Sequence, residues 1–354
     1  MPPDTHAMNR KDFLQTIAGT AAVSSLVRDL PAQGSKTPID SKEPTASSPL
    51  PQDAWTLVLL PDTQFMTLRF PDVHVAQTEW IVANQGRYNI RFVAHEGDIV
   101  DCNTHPEWSN ARRAIDNLLR ARIPFSLLPG NHDLGRWGKS TDRGTLLNDY
   151  FTFWDYANSE KVGYFEPRHL ENTWHRFATP KGKFLLLSLE FGPRDSVLAW
   201  ANKVAEENAD REVIVVTHAY LYSDSTRYDW KLKGHSQSWN PRSYAIAKAE
   251  GGANDAEEMW TKFVSQHANI RFVLSGHVLH GGTGYLASQG VHGNSVHQIL
   301  ANYQTGTVPD RGFGGAGILR LMHFLPDRTV QVRTYSPWLE QWITEPEHQF
   351  SLKL

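Results

Sequence analysis

The chain has 354 residues, 40% of them hydrophobic and 21% charged, enough for one large domain or two small ones with an ordinary core. Its formal charge of -3 excludes an overall field that would draw nucleic acid or an anionic membrane. A single cysteine, Cys102, excludes an intrachain disulfide and a thiolate zinc cluster.

Residues 1–52 read as separate from the fold. Asn9-Arg10-Lys11-Asp12-Phe13-Leu14 precedes an uncharged stretch from Thr16 to Val27, and Pro, Ser, Gln and Thr then dominate to Gln52. A basic region, a short apolar region and a flexible tail make up a secretory layout. It resembles a twin-arginine signal with Lys11 as the second basic residue, which implies export. A cytoplasmic protein with a plain tail is the alternative. No stretch is long and apolar enough to span a bilayer.

The body, 53–354, opens on a predicted strand, Trp55 to Leu60. A helical pattern follows from Val73 to Tyr88, then a strand at Arg91 to His95. A second helix is expected over Glu107 to Arg122 and a strand over Phe125 to Leu128. This alternation predicts right-handed strand-helix-strand crossovers. Leu134 to Pro180 reads as an irregular covering loop. Beyond it come a strand at Phe184 to Leu189, a helix at Ser196 to Asn208 and a strand at Val213 to Val216. A second long loop, Leu221 to Gly252, leads to a helix at Ala256 to His267 and a strand at Ile270 to Leu274. Four short strands are expected after that, at Gly284 to Ser288, Ser295 to Leu300, Ile318 to Phe324 and Thr329 to Thr334. The expected arrangement is two sheets face to face with helices outside.

Five segments after these apolar runs carry metal-ligand residue types. They are Pro61-Asp62-Thr63-Gln64, Glu96-Gly97-Asp98-Ile99-Val100-Asp101, Pro129-Gly130-Asn131-His132-Asp133, Val216-Thr217-His218 and Ser275-Gly276-His277-Val278-Leu279-His280. Ligands placed after successive strands are expected to meet at one sheet edge, the carboxyl ends of the strands. Carboxylate, amide and imidazole donors without thiolate suit hard or borderline divalent cations. A closed structural zinc site would favour Cys and His. Cys102 lacks an activating neighbour in sequence and reads as an inert thiol.

The ordered set Asp62-x-Gln64, Gly97-Asp98, Gly130-Asn131-His132-Asp133, His218 and Gly276-His277 resembles the calcineurin-like metallophosphoesterase family. The resemblance implies an α/β fold, a four-layer α/β/β/α sandwich of two packed mixed β-sheets flanked by helices, with a dinuclear metal centre. It implies that Asp62, Gln64 and Asp98 hold the first divalent ion and that Asp98 bridges to a second held by Asn131, His218 and His277. The ions would be Mn, Fe, Zn or Mg. His132 would be the general acid, oriented by Asp133. Such a site hydrolyses phosphate mono- or diesters by attack of a hydroxide generated at the metals.

Two positions depart from the family pattern. Gln64 stands where the family has His, and two residues, Val278 and Leu279, separate His277 from His280 where the family has one. The first site is therefore rich in oxygen, and His280 is its remaining imidazole candidate. That composition favours Mn, Fe, Mg or Ca over Zn and weaker binding. Arg136 and Arg227, with Lys139 and Arg143, are candidate phosphate ligands in the long loops, against the plainer reading of solvated loop charge. Trp137 is a candidate stacking surface. The expected partner is a small-molecule or macromolecular phosphate ester. The chain has no nucleic-acid motif, and nothing in it fixes an oligomeric state. Hydrolysis of another ester or anhydride is a second reading. A third is a phosphate or phosphoester-binding protein with a degraded first site.

Overall fold

In the computed structural model the described residues are 37–38, 50–305, 314 and 316–354, and all lie in the unit Ala32–Leu354. The signal-like segment and linker expected at 1–52 fall outside them, apart from 37–38 and 50–52. No helix among the described residues is long and apolar enough to cross a membrane.

The strands in chain order are β1 Thr37–Pro38, β2 Trp55–Leu60, β3 Ile90–His95, β4 Phe125–Ser126, β5 Lys161–Tyr164, β6 Thr173–Thr179, β7 Gly182–Leu189, β8 Glu212–Thr217, β9 Ile270–Ser275, β10 Thr283–Gln289, β11 Ser295–Ala301, β12 Leu319–Phe324, β13 Thr329–Ser336, β14 Gln341–Ile343 and β15 Phe350–Lys353. The α-helices among the described residues are α1 Gln64–Arg69, α2 Pro71–Asn84, α3 His105–Arg120, α4 Leu147–Tyr150, α5 Asp195–Glu207, α6 Trp230–Lys233 and α7 Ala256–Lys262.

One sheet runs β1-β15-β13-β12-β2-β3-β4, with β14 paired to β13. The other runs β10-β11-β9-β8-β7-β6-β5. Parallel pairing is confined to β2-β3-β4 in the first and β7-β8-β9-β11 in the second. The remaining neighbours are antiparallel, so both sheets are mixed, as expected.

Strand alternation builds the layers. Leu57 and Leu59 of β2 point between the sheets and pack with Phe92, Leu186, Ile214, Phe272 and Met322. Val58 and Leu60 point the other way, against Ile81 of α2 and Trp108 and Ile115 of α3. On the far side of the second sheet, Leu185, Leu187, Val213 and Val215 pack against Val197 and Ala201 of α5 and Met259 of α7. A strand buried on both faces reads as a continuous apolar run, which is why these strands stand out in the sequence. The result is the α/β/β/α sandwich.

The stretch read as irregular, Leu134 to Pro180, contains β5 and β6. The sequence of β6, Thr-Trp-His-Arg-Phe-Ala-Thr, alternates buried and partly exposed positions without a run of aliphatic residues. It pairs along its length with β7, so its partner rather than its composition makes it a strand. Helix α1 was also not expected. Gln64 is its first residue.

Candidate metal centre

Each candidate ligand follows the carboxyl end of a strand from the parallel part of a sheet. Asp62 follows β2, Asp98 follows β3 and Asn131 follows β4. His218 and His277 follow β8 and β9. The expectation of a single sheet edge is thus corrected: three ligands come from one sheet and two from the other. Face-to-face packing sets the two carboxyl edges side by side, and the ligands meet across the gap.

Asp98, His218 and His277 bring one ligand atom each within 4.8 Å of one another, all three buried. His218 donates Nδ1–H to the Glu96 carbonyl at 2.8 Å, and His277 donates Nε2–H to the Trp239 carbonyl at 2.8 Å. In the neutral rings, His218 Nε2 and His277 Nδ1 therefore carry bare lone pairs, and they face each other at 3.1 Å. Asn131 Oδ1 and Asp98 Oδ1 each lie 3.2 Å from His218 Nε2. Asn131 is held in that orientation by its amide, which donates to the Gly138 carbonyl at 3.0 Å. Four electron-rich atoms thus converge in a buried place. Such a group repels itself unless a cation or a proton on His218 Nε2 stands among it. A cation about 2.1 Å from each ligand would hold ligand atoms about 3 Å apart. The donor set fits a divalent metal.

Next to it lie the residues read as the first site. Gln64 donates Nε2–H to Asp98 Oδ2 at 3.0 Å, and its Oε1 is buried without a hydrogen-bond partner among the described residues. Asp62 accepts the His277 backbone N–H at 3.0 Å. Burial, Asp98 and Glu96 push the Asp62 carboxyl well above the carboxylate range. Two buried carboxylates and an unsatisfied amide oxygen also fit a cation. His280 stands apart from them. It is exposed and stacks on Trp239 with centroids 5.1 Å apart. Among the described residues, the group around Asp62 offers oxygen donors and no imidazole of its own.

The backbone is bent to achieve this. Asp62, Asp98 and His277 all have positive φ, at 40°, 50° and 76°. Left-handed non-glycine residues cost of order 1 kcal/mol each and concentrate at functional sites. Gly276 admits Asp62: a Cβ there would collide with Asp62 Oδ2.

Electrostatics follow the same pattern. With no cation bound, burial pushes the Asp98 carboxyl upward, but protons on His218 and His132 outweigh it and hold Asp98 well below its usual range. Burial and His218 press His277 down to about 3, so it is neutral. Burial would lower His132, but Asp98 and Asp101 overcome it and raise the ring to about 10.

His132 is the accessible histidine of the group, its side chain 28% exposed. The ring donates Nδ1–H to the Asp101 carbonyl at 2.7 Å, with an Asp101 carboxylate oxygen 3.3 Å away. Here the reading of Asp133 is corrected. Asp133 accepts backbone N–H groups from Ile99, Val100 and Gly130 at 3.1, 2.9 and 2.8 Å. It pins the Asp98 loop to the Asn131 loop, while Asp101 orients His132. Sequence reasoning passed over Asp101 although Gly97-Asp98-Ile99-Val100-Asp101 was in view.

The arginines divide. Arg136 is exposed near the site. Arg227 is committed elsewhere, paired with Glu257 at 2.5 Å, bonded to Ser288 and Gln298 and set over Trp260. Arg143 donates to three backbone carbonyls, those of Phe191, Gly192 and Gly252. Cys102 donates its S–H to Asp101, and burial with the neighbouring acids pushes the thiol up, which keeps it unreactive.

Among known proteins, the uncharacterized protein YvnB of Bacillus subtilis (strain 168) is 30% identical over 304 residues, 82% of this chain and 20% of that protein. The chain spans about a fifth of that relative's length. Among solved structures, the purple acid phosphatase PPD1 from yellow lupin (Lupinus luteus) seeds is similar at 13% identity and a TM-score of 0.49, over 86% of this chain and 54% of that one. GAP50, the anchor in the inner membrane complex of Plasmodium, is similar at 10% identity and a TM-score of 0.45, over 86% and 90%. The calcineurin-like phosphoesterase family model matches residues 70–281, more than half of the chain, and that span takes in Asp98, Asn131, His132, His218 and His277. With its sandwich fold and its ligands at adjoining sheet edges, the chain belongs to the calcineurin-like phosphoesterase family.

Proposed function

We propose that the protein is a metal-dependent hydrolase of phosphate mono- or diesters. The observation that supports this most is the convergence of Asp98, Asn131, His218 and His277, whose facing imidazole nitrogens are both open to a metal when the rings are neutral. These four residues would hold one divalent cation. Asp62, Gln64 and the second oxygen of Asp98 would hold another. Bound there, the cations would supply positive charge for the phosphoryl oxygens and lower the pKa of a water toward neutrality.

The chain's own residues do the rest. His132 holds its Nδ1 proton against Asp101, so Nε2 is the atom that delivers a proton to the departing alkoxide. Asp133 fixes the two loops that carry Asp98 and Asn131. Burial keeps His218 and His277 from exchanging their roles, because each has one nitrogen committed to a backbone carbonyl.

Oxygen donors at the Asp62 group favour Mn, Fe, Mg or Ca there over Zn. The Gln64→His variant supplies the missing imidazole and is expected to raise zinc content in protein purified without added metal. Two tightly held zinc ions in the unaltered protein would count against the assignment.

A second reading is a phosphoester-binding protein with little turnover. It draws on one feature: Gln64 spends its N–H on Asp98 Oδ2, an oxygen the first cation would use. Assays with nitrophenyl phosphate and bis-nitrophenyl phosphate across Mn, Fe, Zn, Mg and Ca separate the two. Turnover with at least one metal, abolished by Asp98→Asn, is expected. Phosphate binding without turnover under any metal would replace hydrolysis with the second reading.

A further inference from the structure

A cleft of about 510 Å³ lies between the loops next to His132 in sequence and space, walled by Cys102 to Pro106 on one side and Gly135 to Trp137 with Leu146 on the other. Both walls touch His132 through their chain neighbours. Asp101, which precedes Cys102, holds the ring by its Nδ1. Gly138, which follows Trp137, packs so closely that a Cβ there would collide with the ring. The cleft therefore adjoins the two loops that hold His132, one at Nδ1 and the other across the ring.

Its walls are fixed. Asn103 donates to the Gly135 carbonyl at 2.9 Å and accepts from Leu146 N and Trp108 Nε1 at 3.1 and 2.8 Å. Its surface is open to a ligand. Trp137 is 68% exposed and has no ring partner or hydrogen bond among the described residues. Arg136, beside it, forms no ion pair among the described residues. The Cys102 and Thr104 amides just before α3 already donate to Glu107. What this cleft presents is a flat aromatic face with a cation next to it.

We propose that the cleft receives the alcohol part of the substrate, and that this alcohol carries a planar aromatic ring which stacks on Trp137. The inference rests on the hydrolase reading, but the stacking is testable apart from it. A nucleoside and a simple phenol share this chemistry, and the experiment distinguishes them.

Ligand-observed NMR on metal-free protein uses adenosine, phenol and glycerol as probes. Saturation transfer to a ring-bearing probe and none to glycerol is expected, with the signal lost in Trp137→Ala and kept in Trp137→Phe. Transfer to adenosine alone identifies a nucleoside. Transfer to both identifies a general ring site. No transfer to either ring, or transfer unchanged by Trp137→Ala, overturns the proposal whether or not the enzyme is active. In the metal-loaded enzyme, Trp137→Ala is expected to lower the ratio of kcat/KM for adenosine 5′-monophosphate or phenyl phosphate to that for glycerol 3-phosphate roughly tenfold, the scale of one base–aromatic stack. An unchanged ratio in an active enzyme overturns the cleft's role and leaves the hydrolase reading standing. Absence of all turnover while the rings still bind separates the two the other way.

Discussion

His132 is the residue whose removal says most about chemistry, because it touches the site without being one of the converging ligands. His132→Ala is expected to keep bound metal and lose roughly 10²–10⁴-fold in rate on an alkyl ester, the usual contribution of a general acid. A nitrophenolate leaving group needs no proton and is expected to hide most of the loss. Equal losses on both substrates, seen by steady-state kinetics beside metal analysis, would move His132 from proton donor to structural support. Asp101 acts through His132, so Asp101→Ala is expected to lower kcat on the alkyl ester more than it changes KM, again with the nitrophenyl ester spared. Gly276 tests the other half of the site. A Cβ there meets Asp62 Oδ2, so Gly276→Ala is expected to weaken metal binding in equilibrium dialysis while the far-ultraviolet circular dichroism stays native.

At the scale of elements, Asn103 ties three segments together. It has φ of 53°, and its side chain joins the loop before α3 to the Gly135–Leu146 loop and to Trp108. Removing those bonds leaves backbone groups short of partners, at a cost of about 1–3 kcal/mol. Asn103→Ala is expected to speed amide hydrogen exchange over residues 135–146 and to leave β2, β3 and β8 protected. Exchange unchanged in that loop would mean the cleft wall is held by something else. The strand ends were legible for a related reason. Parallel strands buried on both faces leave unbroken aliphatic runs, and the polar residue that ends each run is conspicuous, as at Asp62, Asp98, His218 and His277. Strand β6 and Asp101 were not legible in this way. The strand takes its state from pairing with β7, and Asp101 takes its role from a loop-to-loop contact 31 residues long in sequence. The same limit explains why five ligands looked like one sheet's edge: order along the chain does not say which sheet a strand joins. The spacing of His277 and His280 marked a departure, but only the packing of Trp239 shows where the second ring rests.

Taken whole, the fold buries histidines outside the proposed ligand set, and this shapes its response to acid. Burial presses His74, His175 and His323 each down to about 3, against about 6.5 in an unfolded chain. Between those values the unfolded chain binds more protons. Stability from these groups is thus full above pH 6.5 and declines as the pH falls toward 3. His74 gives the cleanest test, because both its ring nitrogens lack hydrogen-bond partners. His74→Leu is expected to flatten the fall in urea midpoint between pH 6.5 and 4.5; an unchanged slope would remove His74 from the acid response. The proposed chemistry depends on cations at the adjoining sheet edges. Anomalous diffraction from crystals grown with Mn measures this most directly. The expected result is a strong peak among Asp98, Asn131, His218 and His277 and a weaker one beside Asp62 and Gln64. No peak at either place, or a peak only at Asp101, Cys102 and Glu107, would contradict it.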